Sequence, residues 1–322
     1  MRERVKSPYL AKATIGVDIG GSKIESALVR ADGSVPISIK IDTPSALTTT
    51  NIIQAIYASV DGVILERKEY IRGIGVGAPG QVELRTGKVI HAPNLSCQNL
   101  PLKEILQKRY SLPVFVDNDV RCALLAEHRH GVAKNILDCL CMFVGTGIGG
   151  GIMVGGKVLR GVTNSAAEIG HMTLEKNGPK CGCGNYGCLE SLASGPKIIE
   201  DAVERLKGRN SLIKDLVKND LSKININLIQ KAFEEKDKVA IEVLERAADY
   251  IGIGVATLVN ILNPKMVILG GGVINASPSL FEMIKEVALK RAIKISKSNL
   301  KIVTSELEKN AGTIGASLLV EF

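Results

Sequence analysis

The sequence predicts an α/β protein made of two similar domains. Three observations carry this reading: short aliphatic strands that run into glycine-rich turns, helical spacing of apolar residues between them, and a restart of the same pattern near the middle of the 322 residues. A chain of that length fits about two domains of roughly 100–200 residues each.

The first half opens with an apolar strand, Thr14 to Val17, ending in Asp18-Ile19-Gly20-Gly21-Ser22-Lys23. A second strand runs from Ile24 to Val29, and Asp32-Gly33 turns into a third near Val35 to Ile41. This is a hairpin meander, with glycine where the turn needs a positive φ. From Ala46 to Arg67, Ile52, Ile53, Ile56, Val60 and Ile64 keep helical spacing. A strand at Ile71 to Val76 closes in Gly77-Ala78-Pro79-Gly80, a short buried strand spans Val114 to Val116, and Val120 to His130 reads as helix.

The pattern then restarts. Cys139 to Val144 is a strand ending in Gly145-Thr146-Gly147-Ile148-Gly149-Gly150-Gly151, followed by a hairpin around Gly155-Gly156. A long helix (about Val239 to Leu262), a strand at Met266 to Leu269 and the run Gly270-Gly271-Gly272 come next. A helix near Leu280 to Arg291, a strand near Lys301 to Val303 and an apolar helix from about Ala311 to Leu319 complete the chain. The predicted partition gives residues 1–118 plus 306–322 to a smaller domain and 119–305 to a larger one. No low-complexity linker separates them, so a hinge is expected, with the domains facing a central cleft of the kind where ligands bind.

Composition narrows the partners. Hydrophobic residues make up 45% of the chain but aromatics only 3%, with no Trp. The core is therefore aliphatic, and a ligand is gripped by hydrogen bonds rather than stacked on rings. The formal charge of +8 reads as a lysine-rich solvated surface, because no arginine–aromatic cluster or long basic run accompanies it. No nucleic-acid partner is expected. Met1 to Lys12 is polar, no signal peptide is visible and no run of about 20 apolar residues exists, so a cytoplasmic protein without a membrane span is expected. Three of the seven cysteines crowd into Cys181 to Cys188, which in a cytosolic chain favours a metal over disulfides.

Gly145, Gly147 and Gly150 match a G-x-G-x-x-G pattern, but a dinucleotide fingerprint must open a helix and this one opens a hairpin. A phosphate cradle of backbone N–H groups in a strand-to-strand turn fits better. The P-loop pattern is absent. Asp18, at the end of the first strand beside Gly20 and Gly21, is placed to hold Mg²⁺ directly or through water; capping the turn is the plainer alternative. Asp119 follows a buried strand at the start of a helix. It suits either a proton acceptor or a helix N-cap, and Asp117 competes for both roles.

These motifs occur together and in order: Asp18 to Lys23, Gly77 to Gly80, Asn118-Asp119, Gly145 to Gly151, Glu168-Ile169-Gly170-His171, and Cys181-Gly182-Cys183-Gly184-Asn185-Tyr186-Gly187-Cys188-Leu189-Glu190. The set resembles the ROK family (repressors, open reading frames, kinases), and most of all its glucokinases, over nearly the whole chain. The resemblance implies a duplicated actin/hexokinase-like (ribonuclease H-like) fold, ATP with Mg²⁺, and phosphorylation of a hexose. It maps the catalytic base onto Asp119 and sugar contacts onto Asn94, Asn118, Glu168, His171 and Glu190. On the nucleotide side it maps Asp18, Gly20, Gly21, Ser22, Lys23, Gly145, Thr146, Gly147, Gly270, Gly271 and Gly272. It also implies a homodimer or homotetramer. Departures from the family pattern are Ala167, where glycine is usual, Arg121, where a small residue or Asn is usual, and Gln98 and Asn99, in the region where many glucokinases carry Trp.

His171, Cys181, Cys183 and Cys188 form an H-x₉-C-x-C-x₄-C set, whose three thiolates and one imidazole suit a tetrahedral Zn²⁺. Four protein ligands close such a site to chemistry, so a structural zinc is expected, fixing the loop that carries His171 and Glu190. Cys97, Cys122, Cys139 and Cys141 read as buried small hydrophobes.

Glucose is the first expectation for the sugar, with N-acetylmannosamine, fructose or several hexoses as alternatives within the family. A sugar-responsive repressor needs a helix-turn-helix of roughly 60–80 residues, whereas about 12 precede the first strand. An actin-like filament protein or chaperone ATPase has no use for the Cys/His set or for Glu168 and Glu190.

Overall fold

The structure, a computed structural model, describes residues 12–92, 95, 97–307 and 310–321. It divides into two compact units: Met1–Gly131, Thr163–Ser165 and Lys309–Phe322 form unit 1, and Val132–Val162 and Ala166–Glu308 form unit 2.

In unit 1, β1 (Lys12–Ile19), β2 (Lys23–Arg30) and β3 (Ile37–Asp42) make the expected antiparallel meander. α1 (Thr49–Glu66) then leads to β4 (Tyr70–Ala78). A small antiparallel sheet of β5 (Gln81–Glu83), β6 (Lys88–Ala92) and β7 (Cys97–Leu100) precedes α2 (Leu102–Tyr110), β8 (Val114–Asn118) and α3 (Asp119–Arg129). The main sheet has the order β3-β2-β1-β4-β8, with β1, β4 and β8 parallel. Ile15, Val17, Ile74, Val76 and Val114 are buried within it, as near-continuous apolar runs require when both faces of a sheet are covered. α1 packs on β2 and β3, and the C-terminal helix, Ala311–Leu318, packs on β1 and β4. That helix seats closely because Gly16 and Gly75 lack side chains. A Cβ at either position would collide with the backbone at Thr313 or Ala316.

The boundary of unit 1 falls after Gly131, thirteen residues beyond the predicted one after residue 118, because α3 packs tightly on the C-terminal helix. A Cβ on Gly315 would enter the Cys122 backbone.

Unit 2 repeats the theme. β9 (Cys139–Val144), β10 (Ile148–Val154) and β11 (Lys157–Val158) are antiparallel, and β12 (Met266–Gly270) and β13 (Lys301–Thr304) continue the sheet in parallel, in the order β11-β10-β9-β12-β13. Five strands in the same order and sense thus recur in each unit, as the restart in the sequence predicts. Four helices, α4 (Leu189–Ala193), α5 (Gly195–Arg205), α6 (Leu212–Leu216) and α7 (Ile226–Glu234), precede the long α8 (Lys238–Leu262). Asp237 caps α8 by accepting from the amides of Val239 and Ala240, each at 2.9 Å, and Asn263 ends it in the left-handed region. The buried face of α8 (Leu244, Ile251, Val255) lies in the aliphatic core of the unit. α9 (Gly272–Ala276), α10 (Pro278–Arg291) and α11 (Lys294–Lys297) complete unit 2, and the C-terminal helix of unit 1 is α12. No helix among the described residues is long and apolar enough to cross a membrane.

Candidate active site and Cys/His cluster

The turn after β1 is tight. Gly20 N donates to Lys23 O at 2.9 Å, and Thr43 Oγ1 donates to Gly20 O at 2.8 Å. A Cβ at Gly21 would meet no atom within 4 Å, so packing inside the protein does not demand glycine there. Asp18 pairs with Glu25 across β1 and β2. The buried Glu25 carboxylate accepts from Ser38 Oγ at 2.6 Å and pairs with Lys23 Nζ at 3.2 Å and Lys40 Nζ at 3.4 Å. Burial, and after it the neighbouring Asp119 and Glu25 carboxylates, push Asp18 up to about 7, while Lys23 pulls it down. A carboxyl held in that state gains from a hard cation with oxygen ligands, so the residues present fit Mg²⁺.

The three adjacent parallel strands place Asp18 level with Gly77, and Gly77 level with Asp117. The carboxyl ends of β1, β4 and β8 therefore form one edge, the usual ligand side of such a sheet. At that edge the structure separates the candidate roles. Asn118 is the N-cap of α3: its Oδ1 accepts from Val120 N at 3.0 Å and Arg121 N at 3.2 Å, and its Nδ2 donates to Gly80 O at 3.2 Å. Asp119 sits, half-buried, in the first turn of α3, where its Oδ1 also accepts from Val120 N at 2.9 Å. Asp117 is fully buried, and one of its oxygens accepts from Asn118 N at 2.8 Å. Of the three residues, Asp119 remains the candidate for chemistry.

The second glycine turn, between β9 and β10, is shorter than predicted. Gly149, Gly150 and Gly151 lie in β10, paired with Phe143, Met142 and Cys141, which leaves Gly145 to Gly147 as the turn. Gly145 N donates to Gly147 O at 2.8 Å, and a Cβ at Gly145 would stand in open space. At Gly147 a Cβ would strike the Glu190 carboxylate. Glu190, in the first turn of α4, accepts from Ile148 N at 2.8 Å, so it is keyed to this turn. Gly271 adopts φ +92° against Val144, and a side chain at Gly272 would meet nothing within 4 Å.

His171, Cys181, Cys183 and Cys188 converge. Their ligand atoms all lie within 4.8 Å of one another, with Cys181 Sγ 3.6 Å from His171 Nδ1 and Cys183 Sγ 3.7 Å from Cys188 Sγ. That sulfur separation is far beyond a disulfide bond of about 2.05 Å. It matches the edge of a tetrahedron with metal–sulfur distances of roughly 2.3 Å. Gly184 and Gly187 take φ +93° and +65° to wrap the loop. Burial pushes the Cys188 thiol up to about 12 and raises that of Cys181, while the Asn185 amide lowers Cys183. The donor set therefore fits Zn²⁺. With His171 Nδ1 turned to the sulfurs, Nε2 is the nitrogen left for a second partner. Glu168 precedes the 3₁₀ turn Ile169–His171, and Ala167 beside it stands at φ +69°.

Asn94 lies outside the described residues. Sequence reasoning missed Asn164, a buried residue at φ +58° whose side chain reaches Asp117, and the bond from Tyr250 Oη to Glu175 that ties the cysteine loop to α8. An Asn in a polar turn is a recognised signal for the left-handed region. No local signal marks the tyrosine.

Two units with the same five-stranded sheet, glycine turns at strand ends and a carboxylate at the head of α3 define the actin/hexokinase-like class. The ROK family model matches residues 14–322, and the chain belongs to that family. Among similar proteins is the glucokinase of Halalkalibacterium halodurans, 35% identical over 95% of this chain and 94% of its own length. The xylose repressor of Caldicellulosiruptor bescii is 32% identical over 95% of this chain and 77% of its own length. A ROK family glucokinase from Streptomyces griseus, solved with glucose and AMPPNP, superposes with a TM-score of 0.86 at 33% identity, covering 95% of this chain and 98% of that one. The chain is an ATP-dependent sugar kinase.

Proposed function

We propose that the protein transfers the γ-phosphoryl group of ATP to the 6-hydroxyl of glucose, with Asp119 as the base. One observation carries this assignment: Asn118 is the N-cap of α3, and Asp119 follows it, half-buried, at the strand-end edge that also holds Asp18. Asp119 accepts the hydroxyl proton on a carboxylate oxygen as the new O–P bond forms, while the bond to the ADP oxygen breaks. Asp18 holds Mg²⁺, which when bound neutralises charge on the transferring phosphates. The turns at Gly20 to Lys23, Gly145 to Gly147 and Gly270 to Gly272 take the nucleotide, with Ser22 and Thr146 among their members. Glu168, His171 and Glu190 grip sugar hydroxyls. Asn118, with Oδ1 committed to two amides and Nδ2 to Gly80, has one N–H to offer. The Cys/His cluster holds a structural Zn²⁺.

The test is ADP release from Mg-ATP with glucose, mannose, fructose, N-acetylglucosamine and N-acetylmannosamine, by wild type and Asp119→Asn. We expect glucose to turn over fastest and Asp119→Asn to lower kcat by about 10²–10⁴-fold with glucose and ATP binding retained. Turnover confined to an N-acetylated sugar moves the substrate and keeps the mechanism. Sugar binding without any ADP release points to a sensor, as the similarity to the xylose repressor would allow.

A further inference from the structure

We propose that Arg121 and Asn164 are positioning residues for the Asn118–Asp119 pair, an inference that rests on Asp119 being the base. Arg121 is 1% exposed and Asp117 is 0% exposed, so a full ion pair is buried directly behind the pair, one partner on each side of it in sequence. Arg121 Nε lies 3.5 Å from Asp117 Oδ1. Its Nη1 donates to Asn164 O at 2.7 Å and to Asn164 Oδ1 at 3.1 Å. Asn164 Nδ2 donates in turn to Asp117 Oδ1 at 3.2 Å and to Val82 O at 2.9 Å. The same Asp117 oxygen accepts the Asn118 amide at 2.8 Å.

A buried ion pair is weak evidence for stability, since its desolvation offsets its attraction, and an apolar pair of similar volume often serves as well. What this lock does supply is direction. The Asn118 amide is held from one side, and the N-cap bond to Arg121 N fixes the first turn of α3 from the other. Between those two points lies Asp119, whose Oδ1 accepts from Val120 N at 2.9 Å in the same turn, so a shift of that turn carries the carboxylate with it. Thr163–Ser165 is a three-residue excursion of the chain into unit 1, and its central residue closes the lock. Asn164 adopts φ +58°, a conformation that Asn tolerates and most side chains resist. Its backbone is thus shaped to present both its carbonyl oxygen and its side-chain Oδ1 as acceptors to Arg121.

The discriminating variant is Asn164→Gly. Glycine keeps the left-handed backbone and the carbonyl bond to Arg121 but removes every side-chain contact. We expect kcat with glucose and Mg-ATP to fall about tenfold to a hundredfold, as small misplacements of a reacting group do, with KM for ATP within twofold of wild type. Arg121→Met should give the larger loss, Arg121→Lys should recover part of it, and the double variant Arg121→Met/Asn164→Gly should be no worse than Arg121→Met alone. An unchanged kcat in Asn164→Gly, or losses in kcat and in ATP affinity by equal factors, would overturn the proposal. Should the wild type turn over none of the sugars, Asp119 is not a base and that reading fails first. Amide exchange then decides the lock itself. Exchange at Asn118, Val120 and Arg121 at least tenfold faster in Asn164→Gly supports it, and unchanged exchange rejects it.

Discussion

The Glu190 carboxylate accepts the amide proton of Ile148 at 2.8 Å, which fastens the end of the cysteine loop to the glycine turn between β9 and β10. Gly147 has no room for a side chain because that carboxylate occupies the space. A residue proposed as a sugar ligand therefore also sets the shape of a proposed nucleotide turn. Glu190→Gln keeps an acceptor for Ile148 N but loses the charge. We expect its thermal midpoint to stay close to wild type while KM for glucose rises about tenfold. Glu190→Ala leaves the amide unpaired, a loss of about 1–3 kcal/mol, and should lower both the midpoint and the ATP affinity. Midpoint scans and steady-state kinetics on the two variants separate these effects.

Asp18 gives a pH dependence whose sign is opposite to that of most carboxylates. Burial and the Asp119 and Glu25 charges raise it to about 7 in the folded protein, against an unfolded value near 3.8. Between those values the folded state binds the extra proton, so stability falls as pH rises through the window. Its contribution is intact below about pH 4 and is lost by about pH 7. Metal-free wild type should therefore gain less stability than Asp18→Asn on going from pH 5 to pH 8, and at pH 8 the variant should melt a few degrees higher. Added Mg²⁺ should raise the wild-type midpoint at pH 8 and leave Asp18→Asn unmoved. Asp18→Asn should also lose most of its turnover. Equal midpoints for the two proteins at pH 8 without metal would remove the case for a strained carboxyl.

Ala167 holds φ +69° immediately before Glu168. That conformation costs an L-residue roughly 1–2 kcal/mol and glycine almost nothing. Glycine also adds entropy to the unfolded chain, which returns about 0.4–1 kcal/mol of the gain. Ala167→Gly should thus be neutral to about 1 kcal/mol more stable in urea unfolding. Ala167→Val, branched at Cβ, should be clearly less stable and should raise KM for glucose, since the turn that aims Glu168 cannot then form unstrained. A destabilised Ala167→Gly would contradict this account.

Much of this was legible in the residues. The repeated strand, glycine turn and hairpin predicted both sheets, because aliphatic runs broken by glycine are a local signal that tertiary contacts rarely override. The long α8 was visible for the same reason, with Asp237 before it and Asn263 after it. The strands β5–β7 and the helices α4 and α6 escaped notice, because elements of five residues or fewer carry too little of a period. Helices α5 and α7, with Ile198 and Ala202 or Ile226 and Ile229 on one buried face, carried a helical period that was passed over. Gly149 to Gly151 looked like turn and are strand. Their pairing with β9 is a non-local fact, and Gly150 is needed because Ile169 packs where its Cβ would lie. Asp117, Asn118 and Asp119 stood side by side in sequence with interchangeable chemistry. Only the partners, Arg121 and Asn164 for Asp117 and two amides for Asn118, show the structural work of those two residues and set them apart from Asp119, the proposed base.

The Cys/His cluster offers the last test. His171 Nδ1 faces Cys181 Sγ at 3.6 Å, so a metal there fixes the imidazole ring and leaves Nε2 as its second functional nitrogen. Cys183 is exposed, and replacing it leaves the protein core intact. Cys183→Ser should bind less zinc by elemental analysis, since a hydroxyl is a poor substitute for a thiolate. The loop should then lose the orientation of His171 and Glu190. Losing one aimed hydrogen bond costs about 1–3 kcal/mol, or roughly 5–150-fold in affinity, so glucose binding by calorimetry should weaken within that range. ATP binding should weaken less than glucose binding: Glu190 shapes only the turn at Gly145 to Gly147, and the turn at Gly20 to Lys23 lies in unit 1. If zinc-free Cys183→Ser bound glucose as wild type does, the cluster would be a fold staple without influence on the sugar, and His171 would drop out of the sugar contacts.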